Sequence, residues 1–389
     1  MQVLSRYPEI PVQTKSDRKT LNLIQIFRGL AALAVFGYHL SFELQNKLGQ
    51  AYPGNPFLLG WIGVDFFFVL SGLIIFYAHH RDLGKPKQLK PFLIKRAIRI
   101  YPIYWVIAIA LVLVQQVLPG FSDDAGLNLG YLLQSLLLWP QSGNLILTAS
   151  WTLSHEIFFY LIFALLITFP TRIMLPAFAV WISAILLNVA GFLQPLTKQL
   201  FLLDFILRPL NLEFLLGCAI AFLVLKRPQL RYPAFLYLGL GLLTLSSLVF
   251  FQQSPILEAH DNLLRVFVFG IPFALILWGA VAIDLNKPTP SPALGASGQP
   301  GRSLSAIFDR SLLYLGNSSY SVYLIHAPIL SVLGTLLVKL KSPFLMQPAI
   351  APLLMTAIAL PISILCYTLL EKPLLDLTRK WTKPFLSSP

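Results

Sequence analysis

The sequence predicts an all-α fold: a polytopic membrane bundle of about ten helices with both chain ends on the cytoplasmic side. Three observations predict it. Of the 389 residues, 56% are hydrophobic and only 12% are charged, half the charged share of about 25% in a soluble domain and too few to coat a globular surface. Mean hydropathy is +0.72, and apolar runs long enough to cross a hydrocarbon core of about 30 Å recur along the whole chain. The basic residues cluster in alternate connections between those runs. Together these exclude a soluble enzyme, a disordered chain and a secreted disulfide scaffold. The two cysteines, Cys218 and Cys366, each lie in a hydrophobic run, which suits neither a disulfide framework nor a thiolate metal site.

The spans can be placed in order. The first, 21–42, follows a polar segment (1–20) and lacks a signal-peptide cleavage pattern. The second and third, 57–78 and 98–118, flank a strongly basic connection, and the segment 129–139 after them reads as interfacial or re-entrant. The fourth is 148–169, followed by a short fifth, 173–190, and then by 207–226, 233–251, 264–284, 318–338 and 349–370. An even count places both termini on one side. The N-terminal segment, the alternate connections and the C-terminal tail hold 22 of the 29 Lys and Arg residues. The positive-inside rule makes that side cytoplasmic. The net charge of +13 is thereby mostly topology, with no nucleic-acid partner implied. The transmembrane domain spans 21–373, with a Pro- and Ser-rich cytoplasmic loop at 286–311 and a cytoplasmic tail at 374–389.

Ionisable groups inside membrane spans are costly and mark functional sites by default. Arg28 and His39 share the first helix. Eleven steps of 100° return both to one face, about 16 Å apart along the axis. Asp65 lies in the outer half of the second span, where His39 is its natural partner; the carboxylate would fix one imidazole nitrogen and leave the other as a base. An ion pair that merely locks the helices is the equal alternative. Glu156 lies on the fourth span at a depth matching Asp65, with Tyr160 four residues on along the same face, and Glu213 is a third outer-half carboxylate. Glu213 and Tyr160 are candidate substrate contacts. At the inner end Arg96 and Arg99 neighbour one another on one helical face, and Arg forks bind phosphate bidentately. His326 reads as structural or as a residue supporting the site from behind, His79, His80 and His260 as solvated, and His155 points away from Glu156. No zinc-binding spacing occurs, and no metal is implied.

These residues resemble the acyltransferase-3 family of integral membrane enzymes. The resemblance runs from about residue 21 to residue 373. It rests on Arg28 and His39 at their ten-residue separation, Gly63-Val-Asp-Phe-Phe-Phe-Val-Leu-Ser-Gly72, and Arg96 and Arg99 followed by Tyr101-Pro102-Ile-Tyr104-Trp105. Further matches are Trp151-Thr-Leu-Ser-His-Glu-Ile-Phe-Phe-Tyr160, Ser319-Tyr-Ser-Val-Tyr-Leu-Ile-His326 and Glu371-Lys-Pro373. With no hydrolase-like domain appended, the chain looks like the stand-alone form that acts on exopolysaccharide or O-antigen. The resemblance implies that His39 is catalytic and that Arg28, Arg96 and Arg99 handle the acyl donor.

The resulting expectation is transfer of an acyl group, acetyl foremost, from cytoplasmic acyl-CoA as co-substrate to a hydroxyl of an extracytoplasmic or lipid-linked glycan. His39, oriented by Asp65 or Glu156, would act as base, with a covalent acyl-His step as a variant. The expected partners are acyl-CoA, the saccharide acceptor and the lipids of a bacterial inner membrane. A flippase for lipid-linked sugars and an acyltransferase acting on a lipid or small hydrophobic metabolite are the alternatives.

Overall fold

A computed structural model of the chain describes residues 21–50, 55–117, 128–141, 145–251, 262–286 and 304–386. Segment 1–20, His260 and most of loop 286–311 lie outside the described residues. The elements are α1 (Asn22–Leu48), α2 (Gly63–His79, led in by a 3-10 turn over Pro56–Ile62), α3 (Leu89–Val117), α4 (Leu129–Leu136), α5 (Trp151–Thr168) and α6 (Thr171–Val189). Two short helices, α7 (Gln194–Thr197) and α8 (Phe201–Ile206), precede α9 (Asn211–Lys226) and α10 (Ala234–Phe250). Then come α11 (Leu263–Asn286), whose start contains a π turn, and α12 (Leu304–Leu340). A π turn over Tyr367–Glu371 joins α13 (Ala351–Cys366) to α14 (Lys372–Leu386). No strand occurs among the described residues.

Among the described residues, nine helical segments are long and apolar enough to cross a membrane, and Ala234–Val249 is a shorter apolar one. All ten coincide with the spans expected from the sequence. Three boundaries differ. Helix α3 begins at Leu89, ahead of the expected start at 98, so Arg96 lies about two turns and Arg99 nearly three turns inside it. Helix α12 begins at Leu304, which turns 304–311 of the expected loop into helix. The chain after the tenth span continues as α14 through Leu386. It is strongly amphipathic and packs on α3.

Two close helix crossings set the frame. Helix α2 meets α9 where Gly72 faces the Phe214 carbonyl and Gly217 faces the Val69 carbonyl, so a Cβ on either glycine would collide with backbone. Helix α1 meets α12 in the same manner, Gly316 against the Gln25 carbonyl and Gly29 against Gly316. Small residues at such contacts let backbones approach and gain van der Waals packing where lipid supplies no hydrophobic drive. The second crossing fixes Arg28, one residue before Gly29, against α12.

The ambiguous segment 129–139 resolves as the short α4. Its last carbonyls have no intrahelical donor. Three aromatic side chains of α3 supply them. Tyr104 donates to the Ser135 carbonyl at 2.6 Å, Trp105 Nε1 to Leu136 at 2.9 Å and Tyr101 to Leu137 at 3.1 Å. The Tyr-Pro-Ile-Tyr-Trp run is thus a helix cap made by a neighbouring helix as well as an aromatic belt.

Candidate active site

The arginines converge. Arg28 of α1, Arg96 and Arg99 of α3, Glu156 and Tyr160 of α5, and Lys372 and Arg379 of α14 line one cavity of about 470 Å³. On α2 its wall runs from Val64 to Ile75, which at 1.5 Å per residue is about 16 Å of helix. The cavity is therefore elongated along the bundle. Its lining holds five cationic side chains against two carboxylates, Glu156 and Asp376, so the interior favours a multiply charged anion.

Each arginine is braced on one side and leaves other N–H groups for a ligand, a guanidinium having five. Arg28 Nη1 donates to Gln25 Oε1 at 2.8 Å. Arg99 Nη1 donates to Glu371 Oε1 at 2.9 Å, and Glu371 Oε2 accepts from Ser321 at 2.6 Å. The Arg99 guanidinium also lies 5.1 Å from the centre of the Tyr320 ring. Arg96 Nη2 donates to His79 Nε2 at 2.8 Å, and His79 Nδ1 donates in turn to Asp82 at 2.8 Å. His79, expected to be solvated, is buried and serves as the strut between Asp82 and Arg96. The reason is the early start of α3, which brings Arg96 back alongside the end of α2.

Tyr160 donates its hydroxyl to Glu156, as the four-residue spacing on one helical face predicts. Glu156 itself faces Arg28, Arg99 and Tyr320 electrostatically. It belongs to the cationic cavity, where it was expected beside Asp65 as an orienter of His39.

The partner expected for Asp65 is also different. Its carboxylate is held by Arg265, with Nε at 2.6 Å from Oδ1 and Nη2 at 2.9 Å from Oδ2. Asp65 is 0% and Arg265 2% exposed, and the guanidinium stacks 4.5 Å from the Trp61 ring centre. Asp65 thus ties α2 to α11 and makes no bond to His39. Glu213, expected to contact substrate, is fully buried in the same cluster, packed on Gly270 and facing Asp65 and Arg265. It does not line the cavity.

His39 stands apart from these carboxylates. It is half-buried, forms no hydrogen bond among the described residues, and meets the ring of His326 at 5.0 Å between centroids and that of Tyr38 at 5.2 Å. Neither histidine lines the cavity, but Tyr323 does. Tyr323 is one turn from His326, 6.0 Å ring to ring, and its hydroxyl is 2.8 Å from Thr152. On α12 the cavity lining runs from Asn317 to Tyr323, and the histidine pair lies next to Tyr323. His155 is buried elsewhere, stacked 4.0 Å from Phe205 with Nδ1 3.0 Å from Asn211.

The family model described as an acyltransferase domain matches residues 21–368. The chain belongs to the acyltransferase-3 family. Among curated proteins it is 31% identical to the exopolysaccharide production protein ExoZ of Rhizobium meliloti, over 83% of this chain and 92% of ExoZ. It is 27% identical to the peptidoglycan O-acetyltransferase OatA of Listeria monocytogenes over 82% of this chain, spanning 51% of OatA, about half its length. A shorter match, 36% identical over 36% of this chain and 37% of the relative, is to the acyltransferase MdmB of Streptomyces mycarofaciens. No solved structure matches the chain at a significant level. The protein is an integral, multi-pass membrane O-acyltransferase.

Several side chains of these clusters are not singled out by the sequence. Lys372 and Arg379 stand among the basic residues near the C-terminus, although their spacing of seven places them on one face of a helix. Arg265 stands at the start of an expected span, where a charge needs no special partner. Glu371, within a recognised terminal motif, gave no hint of its bond to Arg99, 272 residues away.

Proposed function

We propose that this acyltransferase moves an acyl group, acetyl foremost, from acyl-CoA to a hydroxyl of an extracytoplasmic or lipid-linked glycan, working in a bacterial inner membrane with the arginine end of the bundle facing the cytoplasm. One observation carries the reading: Arg28, Arg96 and Arg99, with Lys372 and Arg379, face a single elongated cavity whose lining includes Tyr323, next to the His39–His326 pair. Acyl-CoA has the matching shape and charge, a pyrophosphate and a 3′-phosphate at one end and a thioester at the end of a long neutral arm. The arginines hold phosphate oxygens through paired N–H groups, and the arm runs along α2 towards Tyr323.

His39 then takes the proton of the acceptor hydroxyl as that oxygen attacks the thioester carbonyl. The new C–O ester bond forms, the C–S bond breaks, and the proton passes from His39 to the departing CoA thiolate. Glu156 and Tyr160 remain with the donor, shaping the cationic cavity. The names of ExoZ and OatA, which concern exopolysaccharide production and peptidoglycan O-acetylation, favour a glycan acceptor.

The test is thiol release from acetyl-CoA by purified protein given cell-envelope glycan, with mass spectrometry of the product. His39→Ala should reduce acyl transfer to background while retaining the wild-type melting profile in detergent. A folded His39→Ala protein that acylates glycan at the wild-type rate refutes the scheme.

A further inference from the structure

A second imidazole lies next to His39 with one nitrogen committed and the other idle. His326 is completely buried on α12, where that helix packs on α1. Its Nδ1 is 2.8 Å from the carbonyl oxygen of Val322, one turn earlier. A carbonyl only accepts, so Nδ1 carries the proton and, in the neutral ring, Nε2 is a lone-pair acceptor. That Nε2 is buried with no hydrogen-bond partner among the described residues. A buried polar atom left in that state calls for an explanation.

Among the described residues, the surroundings leave one candidate. The His39 ring meets His326 edge-on, 5.0 Å between centroids at an interplanar angle of 63°. Phe36 closes another side at 6.1 Å. The remaining titratable or charged groups nearby on α1 and α12 are committed elsewhere or face away. Tyr323 shares its hydroxyl with Thr152, Glu43 pairs with Lys47 at 3.3 Å, and Lys47 is also bonded to Ser331 and Thr335. Tyr38 packs on the His39 ring and on Phe42.

We propose that His326 is the positioning residue of His39: from the edge-on contact seen here, a small turn of the rings when substrate binds lets His326 Nε2 accept the N–H of the His39 ring, which fixes the tautomer and leaves the other His39 nitrogen as the base. When His39 takes the hydroxyl proton it becomes an imidazolium, and the His326 lone pair holds the N–H that was present throughout. The proton gained at the opposite nitrogen leaves with the CoA thiolate. His326 thus fills the place that a carboxylate takes in other base-orienter pairs, since Asp65 is engaged by Arg265. The inference rests on the reading of His39 as the base.

Three substitutions separate positioning from packing. In His326→Gln the side-chain oxygen reaches the Nε2 position and can accept. In His326→Asn the amide reaches only the Nδ1 position, so it can keep the Val322 bond and cannot accept from His39. His326→Ala does neither. The expected result is that Gln retains kcat within about threefold, while Asn and Ala lower kcat at least about tenfold, with the KM for acetyl-CoA unchanged. His39→Ala combined with His326→Ala should be no slower than His39→Ala alone. The proposal is overturned if Asn restores activity and Gln does not, if all three retain the wild-type kcat, or if all three lose it equally. A Gln variant that is inactive and unfolds well below the wild-type temperature, while Asn is active and unfolds with the wild type, overturns it too, because the Val322 bond is then the essential one. Should His39→Ala itself be fully active, the reading of His39 as base fails first, whatever the His326 variants do.

Discussion

Asp65 is the residue at which structure and expectation diverge most usefully, and its substitution has a calculable consequence. Both oxygens are engaged by Arg265, at 2.6 and 2.9 Å, and neither residue is more than 2% exposed. Water cannot replace a lost partner there. Removing one member of a buried ion pair costs about 3–5 kcal/mol, because the other charge stays buried. Asp65→Ala should therefore destabilise by about 4 kcal/mol. Asp65→Asn keeps the volume and one oxygen that accepts from Arg265; a hydrogen bond to a charged group recovers about 2 kcal/mol, leaving a net loss of about 2 kcal/mol. Replacing both charges, Asp65→Leu with Arg265→Met, in a Glu213→Gln background so that no buried carboxylate of the cluster is left without its cation, removes the desolvation penalty along with the attraction and should return stability to within about 1 kcal/mol of that background or above it. The assay is thermal unfolding of detergent-purified protein, with acyl transfer measured per folded molecule. The predicted order of melting temperature is Ala, then Asn, then the double variant. Equal melting of Asp65→Ala and wild type refutes the energetic argument. A stable double variant with no activity returns Asp65 to the chemistry and refutes its assignment as a helix tie.

Two further outcomes follow from the geometry. Lys372→Ala with Arg379→Ala should raise the KM for acetyl-CoA several-fold and leave the KM for its 3′-dephospho analogue unchanged, because these two exposed cations of α14 line the cavity together with the arginines; equal effects on both donors would place the 3′-phosphate elsewhere. Gly217→Ala drives a methyl group into the Val69 carbonyl at the α2–α9 crossing and should lower stability by about 1–3 kcal/mol. Gly241→Ala, whose methyl group meets open space, should be neutral or slightly stabilising, and comparison of the two melting curves checks the point.

Much of the architecture was written in hydropathy. Among the described residues, every helix long and apolar enough to cross a membrane falls on an apolar run of the sequence, because lipid forces such segments to satisfy their own backbone and so to be helical wherever they fall. The common face of Arg28 and His39 and that of Glu156 and Tyr160 came from the 3.6-residue period alone. So did the grouping of Arg96 with Arg99. What the period could not give was which helix each face meets. The period alone leaves Asp65 or Glu156 beside His39, whereas Glu156 belongs to the arginines and Asp65 to Arg265; it leaves His326 as structural or supporting, and in the fold its ring meets that of His39.

The sequence by itself determined a membrane bundle, its family and the few ionisable groups able to act within it, since each such group in lipid must have a reason to be there. Only the tertiary structure decided the partners. A buried charge is matched by whatever opposite charge packing brings within hydrogen-bond distance, and the pairs found here are separated by 200 residues between Asp65 and Arg265 and 272 between Arg99 and Glu371. Local periodicity fixes direction along one helix; it is the glycine-mediated crossings of α1 with α12 and of α2 with α9 that set depth and register, and with them which side chains meet.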